Sequence, residues 1–190
     1  DQPKKGSPTQ PAAAPPAFPV KAPDFSGENA YNLVKQQVDF GPRVPGTDAH
    51  KKCREFLQGE LAKYGKVEVQ TAPAKIVDGK NFTLYNIIAS FNSDKPNPII
   101  LSAHYDTRPW ADHGTDSRSE PNLGADDSAS GVGVLLEIAR QFSIQAPAVG
   151  VDIIFFDVED WGKSGGGAES EDSYCLGTQY WTKNLHVPGY

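Results

Sequence analysis

The sequence predicts an α/β fold, a three-layer sandwich in which a mixed central sheet lies between layers of helices. Two observations lead to this prediction. Helical patterns with one apolar face alternate along the chain with short apolar runs that are typical of strands. One of these runs, residues 151–156, ends directly in the carboxylates Asp157, Glu159 and Asp160, where a strand usually meets Gly, Asn or Pro.

The first half of the folded region contains two predicted helices and three predicted strands. Residues 27–39 form a helix with an apolar face made of Ala30, Leu33, Val34 and Val38. After a Gly/Pro-rich break, Thr47 or Asp48 caps a second helix that runs to about Tyr64. Strands follow at 67–72, Asn81–Phe91 and 98–104. The last is a continuous apolar run, which predicts a strand buried on both faces.

The second half begins with a polar, irregular stretch at 107–123, which is long enough to be a functional loop. A strong helix begins at Ser128 or Ser130 and runs through Ala139. A buried strand at 150–157 follows. A loop rich in Gly, Ser and acids at 161–173 then leads to a short helix at about 176–184.

Composition favours one soluble domain at residues 25–190, because 190 residues with 38% hydrophobic content can bury a sizeable core. The net charge of −6 argues against nucleic acid as a partner, since phosphate binding needs a basic surface. No apolar run approaches the roughly 20 residues that a membrane-spanning helix requires.

Residues 1–24 differ from the rest of the chain because they are rich in Pro and Ala. Such a segment buries too little apolar surface to fold, so we expect a disordered tether. The chain also contains no Met. Together these features suggest an exported protein that is periplasmic, envelope-anchored or secreted. Fractionation that finds the mature protein in the cytosol would refute this hypothesis.

The chain has two cysteines, Cys53 and Cys175. The helical pattern around Cys53 favours a small buried side chain over a reactive one. Two cysteines neither demand nor exclude a disulfide, so their pairing stays open at this point. Because no CxxC motif is present, a zinc site built from thiolates is disfavoured.

Acidic residues and a histidine follow predicted strands or precede a helix at three places. These places are His104-Tyr105-Asp106, Asp126-Asp127 and Glu159-Asp160. Taken alone, each has an ordinary structural explanation, such as an N-cap before a helix. Taken together, they place metal ligands at the ends of neighbouring strands, where ligands bind in open α/β sheets. Asp106 is also placed to accept the second ring N–H of a metal-bound His104 and so to orient the ring.

The order and local sequence of these stretches resemble the M28-type zinc exopeptidases and the glutaminyl cyclases built on the same scaffold. The resemblance runs from about Arg43 to Trp181. It is carried by Arg43-Val44-Pro45-Gly46-Thr47, Asn86-Ile87-Ile88, His104-Tyr105-Asp106, Gly124-Ala125-Asp126-Asp127-Ser128 and Phe155-Phe156-Asp157-Val158-Glu159-Asp160. It implies a phosphorylase/hydrolase-like zinc exopeptidase fold with Zn²⁺ as cofactor.

The resemblance also implies roles for individual residues. Asp127 matches the metal-bridging aspartate of the family, His104 matches a metal ligand of its two-metal peptidases, and Glu159 matches its general base. Asp160 stands where the family usually has a metal-binding Glu. Because Asp is one methylene shorter, the metal or the loop must move closer for Asp160 to bind.

Two chemistries remain open on this scaffold. The insert at 161–172, which ends before Ser173 and leads to Gly177-Thr178, is similar to the glutaminyl cyclases. The resemblance therefore implies a glutaminyl-peptide cyclotransferase, an acyltransferase that acts on peptide or protein N-termini and converts N-terminal Gln to pyroglutamate with release of ammonia. The alternative is a zinc aminopeptidase that removes the first residue, because Glu159 serves as the base in both reactions. Which of the two applies, and whether one metal or two are bound, stays open.

A third possibility is a peptide-binding module without catalysis, in which Trp110, Trp161 and Trp181 line a cleft. The complete set of His104, Asp127 and Glu159 argues against it.

Relatives of this kind carry a further stretch beyond the position of Tyr190, with a late histidine ligand. The only histidine after Glu159 is His186, which does not match that ligand. We therefore expect the fold to lack its C-terminal part.

Overall fold

The computed structural model describes residues 21–76, 79–111, 122–163, 170, 172–188 and 190. Within these residues four strands form one sheet: β1 (Lys66–Lys75), β2 (Asn81–Phe91), β3 (Ile99–His104) and β4 (Val151–Phe156). The predicted bounds of β2 coincide with those observed. Residues 1–20, which hold most of the predicted tether, lie outside the described part of the chain, as do 112–121 and 164–169.

The sheet has the strand order β1-β2-β4-β3. β2 pairs antiparallel with both β1 and β4, whereas β3 pairs parallel with β4, so the sheet is mixed, as predicted. In the parallel pair His104 lies opposite Phe156, and the N–H of Tyr105 donates to the carbonyl of Phe156 at 3.1 Å. The residues that follow β3 and β4 therefore emerge side by side at one edge.

The helices observed are α1 (Gly27–Asp39), α2 (Asp48–Ala62), α3 (Gly131–Ile144) and α4 (Leu176–Lys183). The side chains of Ser26 and Thr47 cap α1 and α2. α3 begins at Gly131, directly after Ser130, which is one of the two predicted starting residues. An irregular π-helical turn, Ala125–Ser130, precedes it, in which the backbone of Asp127 is not helical (φ −100°, ψ 97°). Ser130 makes no side-chain capping bond.

Side chains of β2 and β4 alternate between the two faces of the sheet and meet different helices. Ile87, Ile153 and Phe155 are buried in a cluster with apolar residues of α1, α2 and α3. Ile88, Ile154 and Phe156 form a second cluster with Trp181 of α4. Helices thus cover both faces, which confirms the predicted three-layer arrangement.

The prediction that residues 98–104 are buried on both faces is wrong. Ile99 and Ile100 of β3 are 49% and 37% exposed. The reason is the position of β3, which pairs with β4 and forms the edge of the sheet among the described residues.

No helix in the described ranges has both the length and the apolar character to cross a membrane.

Candidate active site

The strand ends bring three of the predicted site residues together. His104 ends β3, Glu159 follows β4, and Asp127 lies in the π-helical turn before α3, which packs against β3. Nε2 of His104 lies 2.7 Å from Oδ1 of Asp127 and 3.7 Å from Oε2 of Glu159. Residues 23 and more positions apart in sequence therefore share one site at the edge of the sheet.

The imidazole of His104 is surrounded by negative charge. Burial disfavours its charged form, but the adjacent carboxylate of Asp106 and the charges of Glu159 and Asp127 outweigh burial and raise the pKa of His104 to about 9. The electrostatic field at this ring therefore favours a positive charge. Without a bound cation, the imidazole of His104 provides this positive charge by binding a proton.

Asp106 is fully buried, and its main contacts are with the backbone that carries the acids. Its two carboxylate oxygens accept the N–H groups of Glu159 at 3.0 Å and Asp160 at 3.1 Å. Burial disfavours its charge, but nearby His104 and these two N–H groups lower the pKa of Asp106. Nδ1 of His104 lies 3.5 Å away, at ion-pair distance, without forming the hydrogen bond expected from the sequence.

Asp160 faces a different partner from the other predicted ligands. Its Oδ1 lies 3.3 Å from the buried guanidinium of Arg108. Burial raises the pKa of Asp160 to about 6, while Arg108 opposes this shift and the charges of Glu159, Asp106 and Asp127 add to it. The ion pair of Asp160 is therefore with Arg108 rather than with His104.

The donor types at this site fit zinc, which binds imidazole nitrogen and carboxylate oxygen. His104 and Asp127 already place one donor of each type in contact. Across the described residues, no group of three or more His, Cys, Asp or Glu side chains is arranged to hold a metal ion. His104 and Asp127 are therefore the two potential zinc donors that the structure brings into contact, and the role of Asp160 as a metal ligand stays a prediction.

The two tryptophans predicted to bind substrate have different surroundings. Trp161 is 6% exposed and packs in a core cluster with Ala72, Ala74, Ile76, Leu84 and Val158. Trp110 is half-buried and meets the Trp161 ring edge-on, with ring centroids 6.4 Å apart. Trp161 thus has a clear packing role, and a contact of either residue with substrate stays a prediction.

Sequence reasoning assigned no role to His50 or to the side chain of Asp157, which form a buried pair beneath the site. Nε2 of His50 lies 2.8 Å from Oδ1 of Asp157, and the other oxygen accepts the N–H of Tyr85 at 2.8 Å. This pair ties α2 and β2 to the end of β4. No local signal marks it, because His50 and Asp157 are 107 positions apart.

Arg43 is a second residue whose role was not predicted. Its guanidinium is fully buried and donates to the carbonyls of Tyr105 at 3.1 Å, Leu123 at 2.8 Å and Gly124 at 2.7 Å. These bonds connect the segment after β3 with the start of the turn that holds Asp127. Gly124 has a φ of 53°, and a Cβ there would lie 2.5 Å from Thr107, so only glycine suits this approach.

The two cysteines are free, which answers the question that the sequence left open. Cys53 is fully buried, as predicted, and Cys175 is half-buried beside the site.

His186 lies away from the site: its Nδ1 accepts from Trp181 at 3.0 Å, and its Nε2 is 3.3 Å from Asp152 near the start of β4. It is therefore at the opposite end of β4 from Glu159, in agreement with the prediction that it is not the late ligand.

Comparison with solved structures finds close likeness in fold. The glutaminyl cyclase of Bacteroides thetaiotaomicron is 47% identical with a TM-score of 0.85, and the match covers 90% of this chain and 60% of that one. A Zn-dependent exopeptidase from Parabacteroides distasonis is 48% identical with a TM-score of 0.84, with the same two coverages of 90% and 60%.

Comparison with known sequences agrees. The glutaminyl-peptide cyclotransferase of Drosophila melanogaster is 31% identical over 137 residues, which cover 64% of this chain and 35% of that protein. The two solved structures are longer than this chain, which spans about 60% of the length of each. Residues 86–187 match the family described as peptidase family M28. Since that match takes in more than half of the sequence, the chain belongs to peptidase family M28.

Proposed function

We propose that this protein is a zinc-dependent glutaminyl-peptide cyclotransferase, which converts an N-terminal Gln of a peptide into pyroglutamate and releases ammonia. The observation that carries the proposal is the placement of Glu159. Its side chain is 29% exposed, and Oε2 lies 3.7 Å from Nε2 of His104 in a site that also contains Asp127. This is a position from which a carboxylate can exchange protons with a bound molecule.

Two further observations favour cyclisation over hydrolysis. The insert at 161–172 and the Gly177-Thr178 sequence that follows it resemble the glutaminyl cyclases. Solved structures at 47%, 46% and 45% identity are named glutaminyl cyclases. The substrate class follows from the reaction: the first residue must be Gln with a free α-amine.

In the proposed reaction the α-amine of the N-terminal Gln attacks the carbon of its own side-chain amide. A carbon–nitrogen bond forms to the α-amine, the bond from that carbon to the amide nitrogen breaks, and ammonia leaves. Glu159 accepts the proton that the amine loses and delivers it to the departing nitrogen, so protons balance without a water molecule. General acid–base catalysis of this kind contributes about 10²- to 10⁴-fold in rate.

His104, Asp127 and Asp160 are the residues that would hold zinc. A zinc ion bound there supplies Lewis-acid polarisation of the amide carbonyl, worth several kcal/mol of transition-state stabilisation. The contribution of Asp106 is to fix the backbone of Glu159 and Asp160 through its two accepted hydrogen bonds. Arg43 in turn holds the segment that leads to Asp127.

A second candidate function is removal of the N-terminal residue from peptides. It is favoured by the 48% identity to a structure named a Zn-dependent exopeptidase and by membership of a peptidase family. Here Glu159 would activate a water molecule instead of the substrate amine. The two candidates share their residues and differ in their products.

The test is incubation of the zinc-loaded protein with a peptide that begins with Gln, followed by mass spectrometry and an ammonia assay. Ammonia release without shortening of the peptide supports cyclisation, whereas free glutamine and a shortened peptide establish the aminopeptidase. We expect Glu159→Gln to lower turnover by about 10²- to 10⁴-fold. Glu55→Gln, on the exposed surface of α2, is the matched control and should retain wild-type turnover. Turnover of neither kind by a zinc-loaded wild-type protein would refute both.

A further inference from the structure

We propose that Cys175 is a positioning residue for Glu159: its thiol holds one carboxylate oxygen so that the other faces His104. The inference deepens the proposed function and rests on the role of Glu159 as the proton carrier. It assigns a task to a side chain that neither the metal-ligand pattern nor the acid–base pattern of the sequence singled out.

The two oxygens of Glu159 have separate partners. Sγ of Cys175 donates to Oε1 at 3.2 Å, while Oε2 lies 3.7 Å from Nε2 of His104. A carboxylate with neither oxygen held can rotate about its last side-chain bonds. The bond to Oε1 restricts that rotation and leaves Oε2 as the oxygen that faces the site.

The backbone of Cys175 is fixed relative to Glu159, so the thiol contact does not depend on a freely moving loop. The N–H groups of Cys175, Leu176 and Gly177 donate to the carbonyls of Glu159, Val158 and Asp157 at 2.9, 3.0 and 3.0 Å. At Gly177 an added Cβ would lie 2.3 Å from the carbonyl oxygen of Asp157, so the close approach requires glycine. The start of α4 is therefore docked directly on the segment that carries Glu159.

The state of the thiol suits a donor rather than a nucleophile. Burial, the hydrogen bond to Glu159 and the charge of Glu159 raise the pKa of Cys175 to about 11. At neutral pH the group therefore keeps its proton and can donate it in a hydrogen bond. Reactive cysteines have the opposite property, a lowered pKa that gives a thiolate.

The first experiment compares Cys175→Ala with Cys175→Ser in turnover of a Gln-initiated peptide by the zinc-loaded protein. A hydrogen bond to a charged group contributes enough that we expect kcat of the alanine variant to fall about tenfold or more, with KM little changed. Serine also donates to a carboxylate, so it should restore kcat to within about threefold of wild type. Cys53→Ala, which removes the other thiol from the core of α2, is the matched control and should keep the wild-type kcat.

An unchanged kcat in Cys175→Ala would overturn the proposal, and so would a serine variant as impaired as the alanine variant. Thermal unfolding of each variant separates a folding defect from a positioning defect. In a positioning defect the alanine and serine variants are equally stable, but only the serine variant regains kcat. A wild-type protein without turnover would sink the proposed function instead, and the contact is then decided by a second measurement.

That measurement is the rate of alkylation of Cys175 by iodoacetamide in wild type and in Glu159→Gln. Loss of the neighbouring charge increases the thiolate fraction, so we expect alkylation about threefold or more faster in the variant. Cys53 is fully buried and serves as the internal unreactive thiol. Equal alkylation rates in the two proteins show that Glu159 does not hold the thiol, and they overturn the inference whether or not the protein has activity.

Discussion

Asp106 and Glu159 come from neighbouring strand ends, and Oδ1 of the first accepts the backbone N–H of the second at 3.0 Å. The other oxygen, Oδ2, accepts the N–H of Asp160 at 3.1 Å. One buried carboxylate after β3 thereby fixes the backbone of both acids after β4. The two candidate roles, proton carrier and metal ligand, depend on the same supporting side chain.

Asp106→Asn tests this dependence with almost no change of shape. An amide has one accepting oxygen, so one of the two N–H groups would face an NH₂ group and lose its partner. We expect the free energy of unfolding to fall by about 1–3 kcal/mol, the cost of a buried donor left unsatisfied. Zinc affinity should fall by about 10- to 100-fold, as for other residues that support metal ligands. Urea unfolding and zinc titration measure the two effects.

Asp39→Asn is the control for that variant, because Asp39 is an exposed partner of Lys35 on the surface of α1. Solvent screens such an exposed ion pair, so the free energy of unfolding should stay close to that of wild type and zinc affinity should not change. If Asp106→Asn were as mild as Asp39→Asn, the carboxylate of Asp106 would not be what fixes the two acids.

Neighbouring aspartates in the π-helical turn offer a matched pair for the metal. Asp127 contacts His104 at 2.7 Å, whereas Asp126 is exposed and its side chain has no hydrogen-bond or ion-pair partner among the described residues. We expect Asp127→Asn to lower zinc affinity by about tenfold or more, because a carboxylate ligand becomes a neutral amide. Asp126→Asn should stay within about twofold of wild type. Equal losses in the two variants, measured by competition with a zinc chelator, would show that the turn contributes only its overall charge.

The sequence predicted the bounds of helices and strands better than it predicted which strands lie next to each other, and the reason is physical. The bounds of Asn81–Phe91 were predictable because the residues that favour a strand lie within the segment itself. Residues 98–104 are equally apolar, yet periodicity carries no information on whether a strand is central or at an edge. That error concerns pairing, which depends on segments far away along the chain.

The same distinction applies to the candidate site. His104, Asp127 and Glu159 were identifiable because each lies where a predicted element begins or ends, and the structure places the three together. The His50–Asp157 pair and the contacts of Arg43 were not predictable, because each joins segments that meet only in the folded chain. Contacts of that kind leave no trace in local spacing.

Arg43→Lys tests whether the buried guanidinium organises the turn that carries Asp127. A lysine ammonium is a single point of charge and cannot reach the three carbonyls that the planar guanidinium of Arg43 contacts. We expect the free energy of unfolding to fall by about 2–4 kcal/mol, because buried carbonyls lose donors and a buried charge loses partners. Denaturant unfolding measures the loss, and a lysine variant as stable as wild type would contradict the role given to Arg43.

The environment of Glu137 predicts how the free energy of unfolding responds to acid. It is a fully buried residue of α3 that binds Arg140 at 2.8 Å and accepts the N–H of Ser26 at the start of α1 at 3.0 Å. The bond to Arg140 lowers the pKa of Glu137 to about 2, and bonds from Asn29, Ser26 and Gln141 act in the same direction against burial. A carboxyl whose pKa is lower in the folded state contributes stability above its unfolded pKa and loses it as pH falls.

We therefore expect wild-type stability to fall by up to about 3 kcal/mol between pH 5 and pH 2 through this group alone. Glu137→Gln should be less stable than wild type at pH 7, and the difference should disappear as pH approaches 2. Glu28→Gln, on the exposed first turn of α1, is the control and should cost less than about 1 kcal/mol. Unfolding free energies measured across this pH range decide the matter. A constant difference between wild type and Glu137→Gln would mean that the carboxyl contributes its shape to the junction of α1 and α3, and not its charge.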